Sequence, residues 1–155
     1  MRKAVLFLFS LGILTSCSGD AESPEVNESN YLIFGHFYGQ CEGETCVETF
    51  KLTDEKLYED IIDDHSGQNL EFVELENSSF EEVKNLADFF PVQLLNENEP
   101  VIGCPDCADG GGLFIQYSID GNLKSWRIDQ DKENVPGYLH EFMDKVNEKI
   151  TLINN

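Results

Sequence analysis

Four cysteines stand in two local pairs, Cys41 with Cys46 as C-x4-C and Cys104 with Cys107 as C-x2-C, and sulfur at these spacings supports three chemistries. The first is structural. An even number of cysteines in an exported domain closes as disulfides, either within each pair or across the two. Cross-pairing would close loops of roughly sixty residues and stabilise by a few kcal/mol in the chain-entropy model, more than the short local loops would. The second is a four-thiolate zinc site assembled from two turns, although C-x4-C is less usual than C-x2-C on both arms. The third is thiol-disulfide exchange at Cys104-Pro105-Asp106-Cys107. A reactive CxxC usually sits at a helix N-terminus, where the dipole favours the thiolate. Here Ala108-Asp109-Gly110-Gly111-Gly112 follows and does not sustain a helix, and Asp106 and Asp109 disfavour a nearby thiolate. Structural disulfides are the preferred reading, with their connectivity open.

Oxygen and nitrogen offer less. Asp129, Asp131 and Glu133 place carboxylates at alternate positions, as calcium loops do, but glycine at the sixth position and glutamate at the twelfth are missing. Capping and solvation explain this stretch better. Asp60, Asp63 and Asp64 in DIIDDH form a second weak cation candidate. The three histidines, His36, His65 and His140, have no serine or cysteine nucleophile beside them, so no catalytic residue is assigned. The run Gly110-Gly111-Gly112 lacks the lysine and following helix of a phosphate loop and reads as a flexible turn or bulge. Trp126 fits a sheet position better than a partner anchor. The expectation is a non-enzymatic domain without a cofactor, zinc and calcium being the alternatives.

The N-terminus supplies an address. Arg2 and Lys3 precede an apolar run from Ala4 to Leu14, the layout of a secretion signal and too short for a permanent spanning helix. Leu14-Thr15-Ser16-Cys17 resembles the lipobox of bacterial lipoproteins. That resemblance implies diacylglycerol on Cys17, cleavage before it, and acylation of the new amino group by a palmitate-type chain. Two or more such chains anchor stably where one is marginal. Ser18, where an aspartate would favour inner-membrane retention, leans the expected location to the outer membrane, with the face open.

Charge then limits the partners. The chain has 30 acidic and 10 basic side chains in 155 residues, a net −20. Without residues 1–16, which carry Arg2 and Lys3, 139 residues remain with 8 basic against 30 acidic side chains, a net −22. No window supplies the basic stripe that phosphate binding needs, which excludes nucleic acid. The membrane, through the anchor, and another envelope protein or a small ligand are the expected partners.

The elements that would position these groups follow from pattern. Residues 17–30 hold the lipidated cysteine and a polar tether, and residues 31–155 a single domain. Tyr31 to Tyr38 reads as a strand with Leu32, Phe34, His36 and Tyr38 on one face. Cys46 to Leu52 and Leu57 to Asp60 continue a meander, with a weaker strand at Leu70 to Leu75. Ser79-Phe80-Glu81-Glu82 fits a capping box opening a short helix that Pro91 stops. Leu113 to Asp120 and Leu123 to Asp129 flank a hairpin turn at Gly121-Asn122. From about Pro136 a helix carries Leu139, Phe142, Met143, Val146 and Ile150 as an apolar stripe. The fold class is α+β: an antiparallel sheet of meander and hairpin packed against the C-terminal helix, with one further short helix.

The segments FGHFYGQCEGETCVETFKLTDEKLYED, GCPDCADGGGLFIQY and WRIDQDKENVPGYLHEFMDKVNEKI together resemble small uncharacterised lipoproteins of Bacteroidota. The likeness spans nearly the whole expected mature domain. It implies the location and the domain boundaries, and it brings no catalytic residue with it.

Overall fold

Tyr31–Phe37 (β1) turns Leu32 and Phe34 to one face and Ile33 and Phe37 to the other, and all four are buried. A strand covered on both faces belongs in the middle of a sheet. In the computed structural model, which describes residues 30–41 and 43–155, β1 pairs antiparallel with Val47–Leu52 (β2) on one side. Gly112–Ile119 (β6) flanks it on the other. The expected signal segment 1–16, Cys17 and the tether up to residue 29 lie outside the described residues. Leu57–Asp60 (β3) and Phe72–Glu74 (β4) continue the meander. Asn122–Asp129 (β7) and Val101–Ile102 (β5) complete a seven-stranded sheet in the order β4-β3-β2-β1-β6-β7-β5. Among the described strands, only β5, at the edge, runs parallel to its neighbour, β7. Two residues are too few to show a period of two, so β5 has no sequence signature.

Asn77–Val83 (α1) and His140–Ile153 (α2) cover one face. Leu139, Phe142, Met143, Val146 and Ile150 are all buried there against residues such as Phe34, Phe50, Ile115 and Trp126. Each fully buried side chain of this kind is worth roughly 1.5–3 kcal/mol of transfer free energy, an upper estimate because the unfolded chain is itself partly collapsed. This stripe fixes the helix to the sheet, and the fold is α+β as the pattern predicts.

Two local expectations fail for identifiable reasons. Ser79 does not cap a helix: α1 begins at Asn77 after Glu76 and ends at Val83. The buried residues Phe80, Val83 and Leu86 recur every third position, the 3₁₀ period, and the chain tightens into a 3₁₀ turn over Leu86–Phe89 instead of continuing the α-helix to Pro91. The hairpin turn is Asp120-Gly121, one residue earlier than expected, with Ile119 paired to Asn122. Asp120 (φ 52°) and Gly121 (φ 77°) both take left-handed backbone, which makes the type I′ geometry that matches strand twist.

The opposite face carries a smaller cluster, Ile33, Phe37, Val47 and Phe114, partly roofed by the segment 61–71 through Leu70. Gly67 (φ 66°) lies so close to the Phe114 ring that a Cβ there would sit 2.6 Å from it. Glycine lets the roof touch the sheet.

Candidate functional site

Both disulfides lie at one end of the sheet, where β1 and β7 end and β2 and β6 begin. Cys41 bonds Cys46, with Cα atoms 5.5 Å apart, and Cys104 bonds Cys107, with Cα atoms 5.4 Å apart. The pairing is within each local pair, not across them. The four sulfurs are bonded to one another, leaving no thiolate for zinc. Among the described residues, no group of three His, Cys, Asp or Glu is placed to hold a metal ion.

The turn carrying Cys104 and Cys107 is built by aspartates and glycines in left-handed backbone: Gly103 (φ 77°), Asp106 (φ 64°), Asp109 (φ 61°) and Gly111 (φ 71°). No α-helix follows Cys107, only the three-residue 3₁₀ turn Cys107–Asp109. The turn is pinned at two points. Gly39 N–H donates to Asp106 Oδ1 at 2.8 Å, and a Cβ on Gly39 would stand 1.8 Å from Asp106 Oδ2. Cys104 N–H donates to Asp129 Oδ2 at 2.9 Å. The glycine run is packed rather than loose: Gly111 and Gly112 are buried, and Gly112 opens β6 against the Phe37 ring.

The carboxylates singled out by spacing face backbone donors. Asp129, buried, accepts from Asp131 N–H, Cys104 N–H and Asn134 Nδ2. Burial pushes its carboxyl up, and these three hydrogen bonds outweigh burial, so the net shift is downward. Asp131 caps the following turn by accepting from Glu133 N–H at 2.9 Å, and Glu133 is exposed. Asp60 accepts from Glu71 N–H and Asp63 N–H. Asp64 accepts from the Ser66 hydroxyl and amide and from both nitrogens of Asn69, and these bonds, the Ser66 hydroxyl foremost, hold it well below the usual carboxylate range. Asp63 (φ 54°) forms the left-handed corner between them.

Each histidine turns its Nε2 to a different carbonyl. His36 contacts Thr45 O at 3.1 Å and Glu48 Oε2 at 3.0 Å; His65 contacts Tyr38 O at 3.1 Å; His140 contacts Val135 O at 3.3 Å. They serve three separate segments. Trp126 is 2% exposed beneath the helices and packs near Phe90, so it is a core residue and no surface anchor.

One residue that the patterns left unremarked is Arg127. Its guanidinium lies 3.8 Å from the Phe37 ring centroid and donates to His65 O, holding the roof segment to the sheet. It also lines a groove of about 530 Å³ between Ser66, Gly67 and Gln68 of the roof and Pro100 and Val101 of the β5 edge, with Phe114, Gln116 and Ser125 as floor. The available signal was compositional: Arg127 is the sole arginine after Arg2. The chain matches no known protein-family model and no curated protein sequence. Among the described residues, no helix is long and apolar enough to cross a membrane.

Proposed function

We propose that the chain is a lipid-anchored lipoprotein of the bacterial envelope, held at the outer membrane through Cys17, whose domain acts by binding another envelope protein or a small ligand rather than by catalysis. The observation that carries this reading is the closure of all four domain cysteines as local disulfides behind a Leu14-Thr15-Ser16-Cys17 signal. Disulfides persist in oxidising compartments outside the cytoplasm. The geometry adds support: the histidines face backbone carbonyls, and the buried carboxylates Asp60 and Asp129 accept backbone amides.

The test is mass spectrometry of the chain recovered from membranes, with and without reduction. A chain beginning at Cys17, carrying diacylglycerol and an acyl chain and lacking four hydrogens for two disulfides, is the expected result. An unmodified Cys17, or free thiols at Cys104 and Cys107, would overturn it.

A further inference from the structure

The groove between the roof segment and β5 combines three features that suit one kind of ligand. Its volume, about 530 Å³, falls in the range of sites that enclose small groups. Its walls mix apolar surface (Phe114, the exposed Val101, Pro100) with the neutral donors and acceptors of Gln116, Ser125 and Gln68. One boundary is β5, the edge of the sheet, whose outer side has no ladder partner among the described residues and can pair with an extended chain.

Arg127 supplies the charge. Among the described residues, Lys56, Lys84, Lys132 and Lys145 pair with carboxylates, Lys124 and Lys149 donate to carbonyls, and Lys51 lies over the rings of Tyr31, Tyr58 and Phe72, away from this groove's lining. Arg127 has no carboxylate in contact among the described residues; Asp106 and Asp64 act on it only through space. Each already has partners of its own: Asp106 accepts from Gly39, and Asp64 from Ser66 and Asn69. A guanidinium offers five donors in a fork that fits a carboxylate, and here one donates to His65 O. The net charge of −20 slows the approach of an anion, but beyond about 8 Å that field is screened at physiological salt, so the contact groups decide affinity.

We propose that this groove binds the C-terminal end of a peptide whose last residue is apolar. The carboxylate lies on Arg127, the last side chain against Phe114 and Val101, and the last amide near Gln116 and Ser125. This rests on the reading of the domain as a binding module and names its site.

The probes are acetyl-Val-Leu with a free carboxylate and the same dipeptide as its C-terminal amide, titrated into the full chain by calorimetry. The acid should bind at least tenfold more tightly than the amide. Arg127→Lys keeps the charge but loses the fork and should weaken the acid several-fold. Because Arg127 also holds the roof, two further variants leave it in place: Ser125→Trp fills the floor and Val101→Asp sets a negative charge at the wall, both at exposed positions. Each should abolish the acid's binding without lowering the melting temperature appreciably. Equal affinity for acid and amide, no binding at millimolar acid, or unchanged binding in both exposed variants would overturn the proposal. A partner crosslinked at another surface, with the dipeptides silent, would sink the groove and leave the binding-domain reading standing. Dipeptide binding would hold even if Cys17 carried no lipid.

Discussion

The Asp129 carboxylate, at the end of β7, accepts the backbone N–H of Cys104 at 2.9 Å, so the strand that ends the hairpin also holds the turn of the Cys104–Cys107 disulfide. Replacing Asp129 by alanine leaves Cys104 N–H, Asp131 N–H and Asn134 Nδ2 without this acceptor. Unpaired groups of this kind cost about 1–3 kcal/mol each when buried, less where water reaches them. An unfolding free energy lower by about 2–3 kcal/mol, read from the shift of the urea midpoint at unchanged slope, is expected. The folded-state pKa of Asp129 lies below its unfolded value. Its stabilisation is therefore present above the unfolded carboxylate value near pH 4 and is lost as pH falls through the folded one. The acid limb of the stability curve should flatten in Asp129→Asn. An unchanged acid limb would show that the carboxylate is not coupled to folding.

Two glycines separate backbone strain from steric overlap. Gly121 (φ 77°) has nothing within 4 Å of where a Cβ would stand, so Gly121→Ala carries only the left-handed backbone penalty, about 1–2 kcal/mol. Gly111 (φ 71°) has the same backbone and would place its Cβ 2.3 Å from the Tyr38 ring and 2.6 Å from Phe37 O. The backbone oxygen cannot move aside cheaply. Gly111→Ala should destabilise by about 1–3 kcal/mol more than Gly121→Ala, the added cost of overpacking. Equal losses in thermal unfolding would place the whole cost in the backbone.

Local disulfides close short loops. In the chain-entropy model each contributes about 2 kcal/mol, against more than 4 for a sixty-residue cross-link. Cys41→Ser with Cys46→Ser should therefore lower stability modestly and leave the fold intact, and peptide mapping should find only the 41–46 and 104–107 linkages. Cys104–Cys107 is exposed and followed by no α-helix, with Asp106 and Asp109 beside it. Those charges disfavour a thiolate, so the chain should not accelerate insulin reduction by dithiothreitol. Catalysis there would restore the redox reading.

Tyr138 donates its hydroxyl to Glu97 Oε1 at 2.7 Å, and burial together with that carboxylate pushes its pKa up to about 12. Its protonated form is the one the fold favours. The contribution is complete below the unfolded tyrosine value near pH 10 and is lost as pH rises toward 12. Ultraviolet titration should show one tyrosine ionising later than the rest, and Tyr138→Phe should remove that phase. A wild-type curve without a late phase would mean that the hydroxyl is not held.

What the sequence announces is what recurs at short range. The apolar run Leu32, Ile33, Phe34 with Phe37 marks the central strand, and Phe142, Met143, Val146 and Ile150, with Leu139 just before them, mark the buried face of α2, because each pattern lies within a short stretch of chain. The candidate site depends on pairs far apart in the chain. Arg127 reaches His65 across 62 positions, Asp106 reaches Gly39 across 67, and Cys104 reaches Asp129 across 25. No local period encodes these meetings. The carboxylates at 129 and 131 resemble ion ligands by spacing for the same reason that they cap turns: each sits where two residues further on a backbone N–H comes into reach, while Glu133 is exposed.

Part of the acidic excess gathers at the disulfide end. The segments 61–71, 103–111 and 130–134 at the disulfide end carry Asp63, Asp64, Glu71, Asp106, Asp109, Asp131 and Glu133, with Lys132 their single lysine, and it pairs with Asp144 on α2. Repulsion among these loops opposes the compact state and weakens as salt shortens the screening length from about 30 Å at 0.01 M to 10 Å at 0.1 M. The melting temperature should therefore rise with sodium chloride over that range. Calcium provides the discriminating arm. Asp60, Asp64, Asp129 and Asp131 already accept N–H donors from their own loops, and an ion would have to displace or share those bonds. At matched ionic strength, calcium chloride should raise the melting temperature no more than sodium chloride does. A further, saturating increase with calcium, abolished by Asp131→Asn or by Asp63→Asn, would identify which loop holds the ion after all.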